Sequence, residues 1–402
     1  SPLLRPFYPA LNGLRGCAIL MVFVAHYGNT TPGLHRISNW GSVGVDLFFV
    51  LSGFLITGIL FDTLHDERYF RNFYIRRALR IFPLFYGVWM AMLLLTPVLH
   101  IAWNRYNAAE AAYIGNFFYS GAYLHLNPQP GYILFAGKAP GHEGILNVIQ
   151  FWSLCIEEQF YLVWPALIWM VRSRRHLLRL SLAIVALLPL VRIAYAYAVP
   201  HDAALPALYY GTFFRMDSLF LGAAIALWLR GDAQPATSIR RAASIAATVA
   251  PALLVAGCVL CKTHPERLDV PTFVDTVGVS LFAIAGGAIL LLAIDPASWV
   301  SHALQQKPLP FLGRISYGLY VFHLFPLALL GWATVRLRPY HLALFLPVLM
   351  FAATVCVAWL SFRFFESPFL QLKSVLAPQP PTHPGKAVDV LEPNGIPVGP
   401  IA

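Results

Sequence analysis

Long apolar runs separated by short polar stretches set the rhythm of this chain. Such runs recur at about 9–28, 43–61, 81–100, 153–171, 178–197, 212–229, 243–261, 273–293, 312–331 and 341–362. At a rise of about 1.5 Å per residue, a helix of this length crosses a hydrocarbon core roughly 30 Å thick. The pattern predicts an all-α polytopic membrane protein with about ten transmembrane helices. A transmembrane barrel does not fit, because its strands are short and alternate polar with apolar residues. One more apolar segment, 109–125, holds Glu110, Asn116 and His125 and adjoins a stretch rich in Gly and Pro at 127–144.

Loop charge decides how that segment lies. The loop 62–80 carries Arg68, Arg71, Arg76, Arg77 and Arg80, and the loop after the fourth run carries Arg172, Arg174, Arg175 and Arg179. Basic loops stay in the cytoplasm. If 109–125 crossed the membrane, the second of these loops would lie outside. It is therefore read as a re-entrant or surface helix within a long outer segment, 101–152, with both termini cytoplasmic. The first run is read as a retained span rather than a cleaved leader, since it contains Arg15 and His26. Residues 1–376 form the membrane domain. Residues 377–402, rich in Pro with little apolar periodicity, read as a disordered cytoplasmic tail.

Composition agrees. The chain is 58% hydrophobic and 11% charged, against about 25% charged in a soluble domain. A net charge of +10 would suggest nucleic acid for a soluble protein. Here the inner loops account for it, and no nucleic-acid partner is expected. Cys17, Cys155, Cys258, Cys261 and Cys356 all lie in apolar contexts, so the odd count gives no disulfide framework. Cys258 and Cys261 are read as packing residues, and no metal is expected.

The chemistry concentrates in a few polar positions inside the runs. Arg15 and His26 share the first run, eleven positions apart. At about 100° per residue both point the same way, roughly 16 Å apart along the axis. An ionisable group within a span marks a functional site by default. With the topology above, His26, Asp46, Glu157, Glu158, Arg215, Asp217 and His323 fall towards the outer half. Arg76, Arg77 and Arg80 stay at the inner face, either as anchors or as ligands of an anion. Arg77 and Arg80 share one helical face, which suits a polyanion, while Arg76 points elsewhere. Glu157 and Glu158 face different directions, so one of them enters a central chamber. Ser153, Arg215, Asp217, Tyr317 and His323 are candidate substrate contacts.

Several stretches are similar to the acyltransferase-3 family of integral-membrane acyltransferases. Arg15, ten residues and His26 match its Arg/Lys-x10-His signature. Phe48–Thr57, FFVLSGFLIT, resembles its second-helix motif, and Arg77-Ala-Leu-Arg80 with Ile81-Phe82-Pro83 resembles its Arg-x-x-Arg element. Trp152–Pro165, Arg215–Gly222, Gly313–His323 and Phe365–Pro368 follow in the family's order, so the resemblance covers about 9–370. It implies ten membrane helices, acyl-CoA, commonly acetyl-CoA, as donor, and a saccharide hydroxyl as acceptor. It implies a catalytic His26 with Arg15 as its partner, and donor binding at Arg77 and Arg80, with Arg76 beside them. Many relatives carry a further soluble domain, and the short tail here suggests a single-module enzyme. On this reading His26 acts as general base, Asp46, Glu157 or Glu158 orients its ring, and Arg15 or Ser153 stabilises the thioester oxygen. An acyl-histidine intermediate is a second route. The competing class is a transporter or flippase for a polar or lipid-linked substrate, since polar groups inside a bundle also mark transport pathways.

Overall fold

A computed structural model of the chain describes residues 2–5, 7–28, 43–122, 132–135, 144–232, 234–263, 269–326 and 345–378. Helix α1 (Pro9–Tyr27) opens on a proline, whose fixed φ and missing N–H suit a first turn. Helix α2 (Val43–Asp62) carries Asp46 in its first turn, in an otherwise apolar sequence as far as Asp62. Helix α3 (Tyr69–Leu99) starts with the arginine cluster and runs 31 residues, to where His100 turns left-handed at φ 50°.

The predicted outer segment is built from short pieces. Strand β1 (Ile101–Ala102) is followed by α4 (Arg105–Ala111) and α5 (Asn116–Ala122). Asn104 caps α4, accepting from the Tyr106 and Asn107 amides. Each helix has seven residues, about 10 Å, so neither crosses a membrane. Strands β2 (Tyr132–Phe135) and β3 (Gly144–Asn147) complete an antiparallel sheet in the order β1-β2-β3, with Ile101 opposite Phe135 and Ile133 opposite Leu146. The sequence reading expected one helix here and missed the sheet. Apolar runs of two to four residues are too short to reveal a period.

Helix α6 (Phe151–Val171) ends at Arg172, left-handed at φ 54°. Then come α7 (Arg174–Ala198), α8 (His201–Tyr210), α9 (Met216–Leu229), α10 (Ala236–Thr263) and α11 (Val270–Ile294). Short helices α12 (Trp299–Leu304), α13 (Leu309–Arg314) and α14 (Ser316–Phe322) precede α15 (Leu346–Leu376).

Among the described residues, α1, α2, α3, α6, α7, α10, α11 and α15 are long and apolar enough to span. The protein is a multi-pass, all-α membrane protein apart from the small sheet. Two of the ten expected spans take another form. The sixth is realised as α9, only 14 residues long. The ninth is broken into α13 and α14, because Ile315 leaves the helical region at φ −96°, ψ 10°; its continuation, 327–344, lies outside the described residues. So do His125, Arg36, Lys138, Arg267, Arg336, Arg338, Lys386 and the tail from 379.

The outward faces are apolar: Leu94 on α3, Leu190 on α7, Leu260 on α10 and Val348 on α15 are each more than 60% exposed, the pattern of a surface solvated by hydrocarbon. At the centre α2 packs on α1, α9 and α11. Its crossing with α9 is close: a Cβ at Gly53 would stand 1.9 Å from the Leu219 carbonyl oxygen, and one at Gly222 2.1 Å from that of Val50. Small residues let membrane helices approach backbone to backbone, where apolar burial alone gives little attraction.

Candidate active site

Helices α1, α2, α3, α6 and α14 enclose a cavity of about 110 Å³. Its polar wall is formed by Arg15 of α1, Ser52 of α2, Arg77 and Arg80 of α3, Ser153, Glu157 and Tyr161 of α6, and Ser316, Tyr317 and Tyr320 of α14. Helical periodicity explains the grouping. Arg77 and Arg80 are three apart, and Ser153, Glu157 and Tyr161 recur every four residues, so each set occupies one face of its helix.

The wall is cross-linked. The Arg77 guanidinium lies 5.0 Å from the Tyr161 ring centroid, and the Tyr161 hydroxyl is hydrogen-bonded to Ser52. Glu157 faces Arg77, Tyr161, Ser52 and Arg15. Tyr317 donates to the Ile81 carbonyl at 2.7 Å, tying α14 to α3. Tyr320 donates to the Gln150 carbonyl at 2.7 Å and lies 2.5 Å from the Ser153 oxygen. A phenol has one proton, so the Ser153 hydroxyl donates to Tyr320. Among the described residues, Arg15, Arg77 and Arg80 form no salt bridge within 4 Å. Glu157 is the lone carboxylate in the lining.

Two residues near this cluster take other roles. Arg76 donates to the Ala377 carbonyl at 2.8 Å, closing the end of α15 rather than entering the cavity. That contact brings in Lys373, which stands in the field of Arg80, Arg77, Arg76 and Arg15. Sequence reading counted Lys373 only as an inner-loop charge, and nothing local marks it, because its neighbours come from α1 and α3. Tyr161 and Ser52 were also missed. Tyr161 was legible as the i+4 neighbour of Glu157.

The other expected site residues form separate groups. His26 lies near the C-terminal end of α1, is exposed, and does not line the cavity. Its ring centroid is 5.0 Å from that of His323. His323 is fully buried, with Nδ1 2.6 Å from the Tyr320 carbonyl, and Tyr27 donates to the His323 carbonyl at 2.6 Å. Asp46 accepts from Arg215 at 2.9 Å and from Ser218 at 3.0 Å. Arg215 also lies 5.6 Å from the Trp152 ring and 5.5 Å from the Tyr209 ring. Asp217 accepts from Arg192 at 2.8 Å and from Ser280 at 2.6 Å. Arg192 further donates to the carbonyls of Thr276 and Phe214. Both are buried ion pairs, the arrangement that makes a buried charge tolerable, although the Arg215 Nε has no partner among the described residues. Arg215 and Asp217, two apart, each take a different partner, as the helical spacing required. Glu158 is not among the lining residues and lies near Tyr86, Tyr113, Tyr317 and Arg77, so Glu157 is the member of the pair that enters the chamber.

An arginine-walled cavity thus lies against the first half of α1, and a histidine pair lies at that helix's C-terminal end. Comparison with known proteins now adds to this geometry. The chain is 28% identical over 372 residues to the peptidoglycan O-acetyltransferase OatA of Listeria monocytogenes, covering 90% of this chain and 56% of that protein. It is 27% identical over 383 residues to the O-acetyltransferase OatA of Staphylococcus aureus, covering 90% and 57%. The chain therefore spans a little over half the length of these relatives. No solved structure matches it significantly. The acyltransferase-domain family matches residues 8–363, nearly the whole of the described fold, and the chain belongs to this acyltransferase-3 family.

Proposed function

We propose that this protein transfers an acyl group, acetyl in the simplest case, from acyl-CoA to a hydroxyl of a saccharide or related acceptor at the outer side of a bacterial inner membrane, with both termini cytoplasmic. The observation that carries this reading is the cavity walled by Arg15, Arg77 and Arg80 with Glu157 as its lone lining acid. Three guanidinium groups so close together repel one another and favour an anionic ligand. Their planar donor forks match phosphate oxygens. A thioester donor that carries phosphates fits this wall. The O-acetyltransferase relatives support the acyl-transfer chemistry, and the peptidoglycan named for one of them supports a glycan as acceptor.

The phosphates dock at Arg77 and Arg80, and the pantetheine arm runs along α1 past Arg15. His26, about 16 Å further along that helix, takes the proton from the acceptor hydroxyl as its oxygen attacks the thioester carbonyl. The C–S bond breaks, and the departing sulfur receives the proton. Arg15, about 16 Å from His26, serves the pantetheine arm rather than the thioester oxygen, and the Ser153 proton is already committed to Tyr320. Asp46 is held by Arg215 and Ser218, which leaves Glu157 as the carboxylate available to the reaction path.

Acetyl-CoA binding to the purified chain tests the donor site. Arg80→Ala and Arg77→Ala are each expected to weaken Kd about tenfold, the loss of roughly one charge-assisted hydrogen bond. Unchanged affinity in both variants would overturn the donor assignment.

A further inference from the structure

The group beside His26 is a second imidazole. No carboxylate is hydrogen-bonded to His26 among the described residues, while the His323 ring lies 5.0 Å away, centroid to centroid, at an interplanar angle of 50°. His323 is wholly buried, and its two nitrogens differ in kind. Nδ1 stands 2.6 Å from the Tyr320 carbonyl oxygen. A carbonyl only accepts, so Nδ1 carries the proton and the tautomer is fixed. Nε2 is then an acceptor, and among the described residues it has no hydrogen-bond partner. Such a buried, unsatisfied acceptor is costly to retain.

We infer that His323 is a positioning and proton-accepting residue for His26, the two histidines forming a relay in which Nε2 of His323 receives a proton from His26 during acyl transfer. This rests on the reading of His26 as general base. The spacing suits it. The centroids are 5.0 Å apart, close enough for an N–H···N hydrogen bond once the His26 ring turns a nitrogen towards Nε2. The His26 side chain is exposed and its χ2 is soft, so its ring can turn onto the fixed His323. As the acceptor oxygen bonds to the thioester carbonyl, one nitrogen of His26 takes the hydroxyl proton. Its other nitrogen passes a proton to Nε2 of His323. When the C–S bond breaks, the protons return and the sulfur leaves as a thiol. The sum is alcohol plus thioester giving ester plus thiol, with both imidazoles restored.

A charge on the fully buried His323 ring is costly and can only be transient, and one contact offsets part of that cost. Its Nδ1–H already donates to a carbonyl, which stabilises an imidazolium. The titratable groups around it are His26 and Tyr27 on α1 and Tyr320 on its own helix. Phe23 fills the remaining aromatic contact, 5.7 Å away.

The test uses the purified full chain with acetyl-CoA and a hydroxyl acceptor, following thiol release and donor affinity separately. His323→Gln is expected to lower kcat about 100-fold with donor Kd within twofold of the parent. The double variant His26→Ala/His323→Gln is expected to be no slower than His26→Ala alone, because the two residues act as one unit. In the parent, a plot of kcat against deuterium fraction is expected to bow, as it does when two protons move together; this arm needs no variant to fold. Turnover within threefold of the parent in His323→Gln, losses that multiply in the double variant, or a linear deuterium plot would each overturn the relay while leaving His26 as base. Turnover that survives His26→Ala would overturn the underlying reading, and the relay with it.

Discussion

Single residues carry the functional argument here, and their cost is visible in what they leave unpaired. Glu110 is the plainest case outside the spans. It is completely buried on α4, and neither carboxyl oxygen has a hydrogen-bond partner. It fills the space beside Gly115, where a Cβ would stand 2.4 Å from its Oε2. Burial pushes this carboxyl well above the ordinary carboxylate range, so the folded protein holds it neutral. The unfolded chain ionises the same group at about 4.3. Stability is therefore fully retained below that value and declines as pH rises towards the folded-state pKa. Glu110→Gln is expected to leave Tm nearly unchanged at about pH 3.5 and to raise it by about 2 °C at pH 8. An equal shift at both values would contradict this. At the same scale, the spacing of Arg15 and His26 was legible in the sequence because both lie on one helix. The neighbour of His26 was not, because His323 reaches it from α14, nearly three hundred residues later in the chain.

Whole elements bring together charges that no local pattern joins. The end of α15 packs on α3, and the Arg76 bond to the Ala377 carbonyl closes that contact. Lys373, one turn earlier on α15, is thereby set among Arg80, Arg77, Arg76 and Arg15. Crowded by these guanidinium groups, it would act as a further cation on the proposed donor site only once a bound phosphate offsets their charge. Lys373→Ala is expected to weaken acetyl-CoA binding about fivefold at low salt and less at high salt, with kcat unchanged at saturating donor. A loss independent of ionic strength, or none, would remove Lys373 from the site. Most elements were legible from apolar run length, since eight of the expected spans are helices long enough to cross a membrane. The exceptions have physical reasons. The run from 312 looked continuous, yet Ile315 breaks it where Gly313 abuts α1; a Cβ at Gly313 would stand 1.7 Å from the Asn12 carbonyl oxygen. Strands β2 and β3 hold four residues each, too few to declare a period.

At the scale of the whole molecule, the fold separates two kinds of buried charge. Arg192 with Asp217, and Arg215 with Asp46, are buried ion pairs within the bundle. The cations of the cavity wall are left without ion pairs among the described residues, and the histidines stand apart at the far end of α1. Residues that sequence reading set together at one depth thus divide, among the described residues, into ion pairs and unpaired groups, a division only tertiary contacts make. On the proposed function, a donor site at the arginines and a base at His26 would suit a donor and an acceptor arriving from opposite faces of the membrane. The central claim is that His26 performs chemistry rather than binding. The most direct measurement is acetyl-CoA affinity and acceptor-dependent thiol release for the parent and His26→Ala, purified side by side. The account predicts donor Kd within twofold of the parent and turnover lowered by about 1,000-fold or more, within the usual range for loss of a general base. Turnover that persists in His26→Ala would contradict it, and Arg15 and His26 would then be structural residues on a shared helix face.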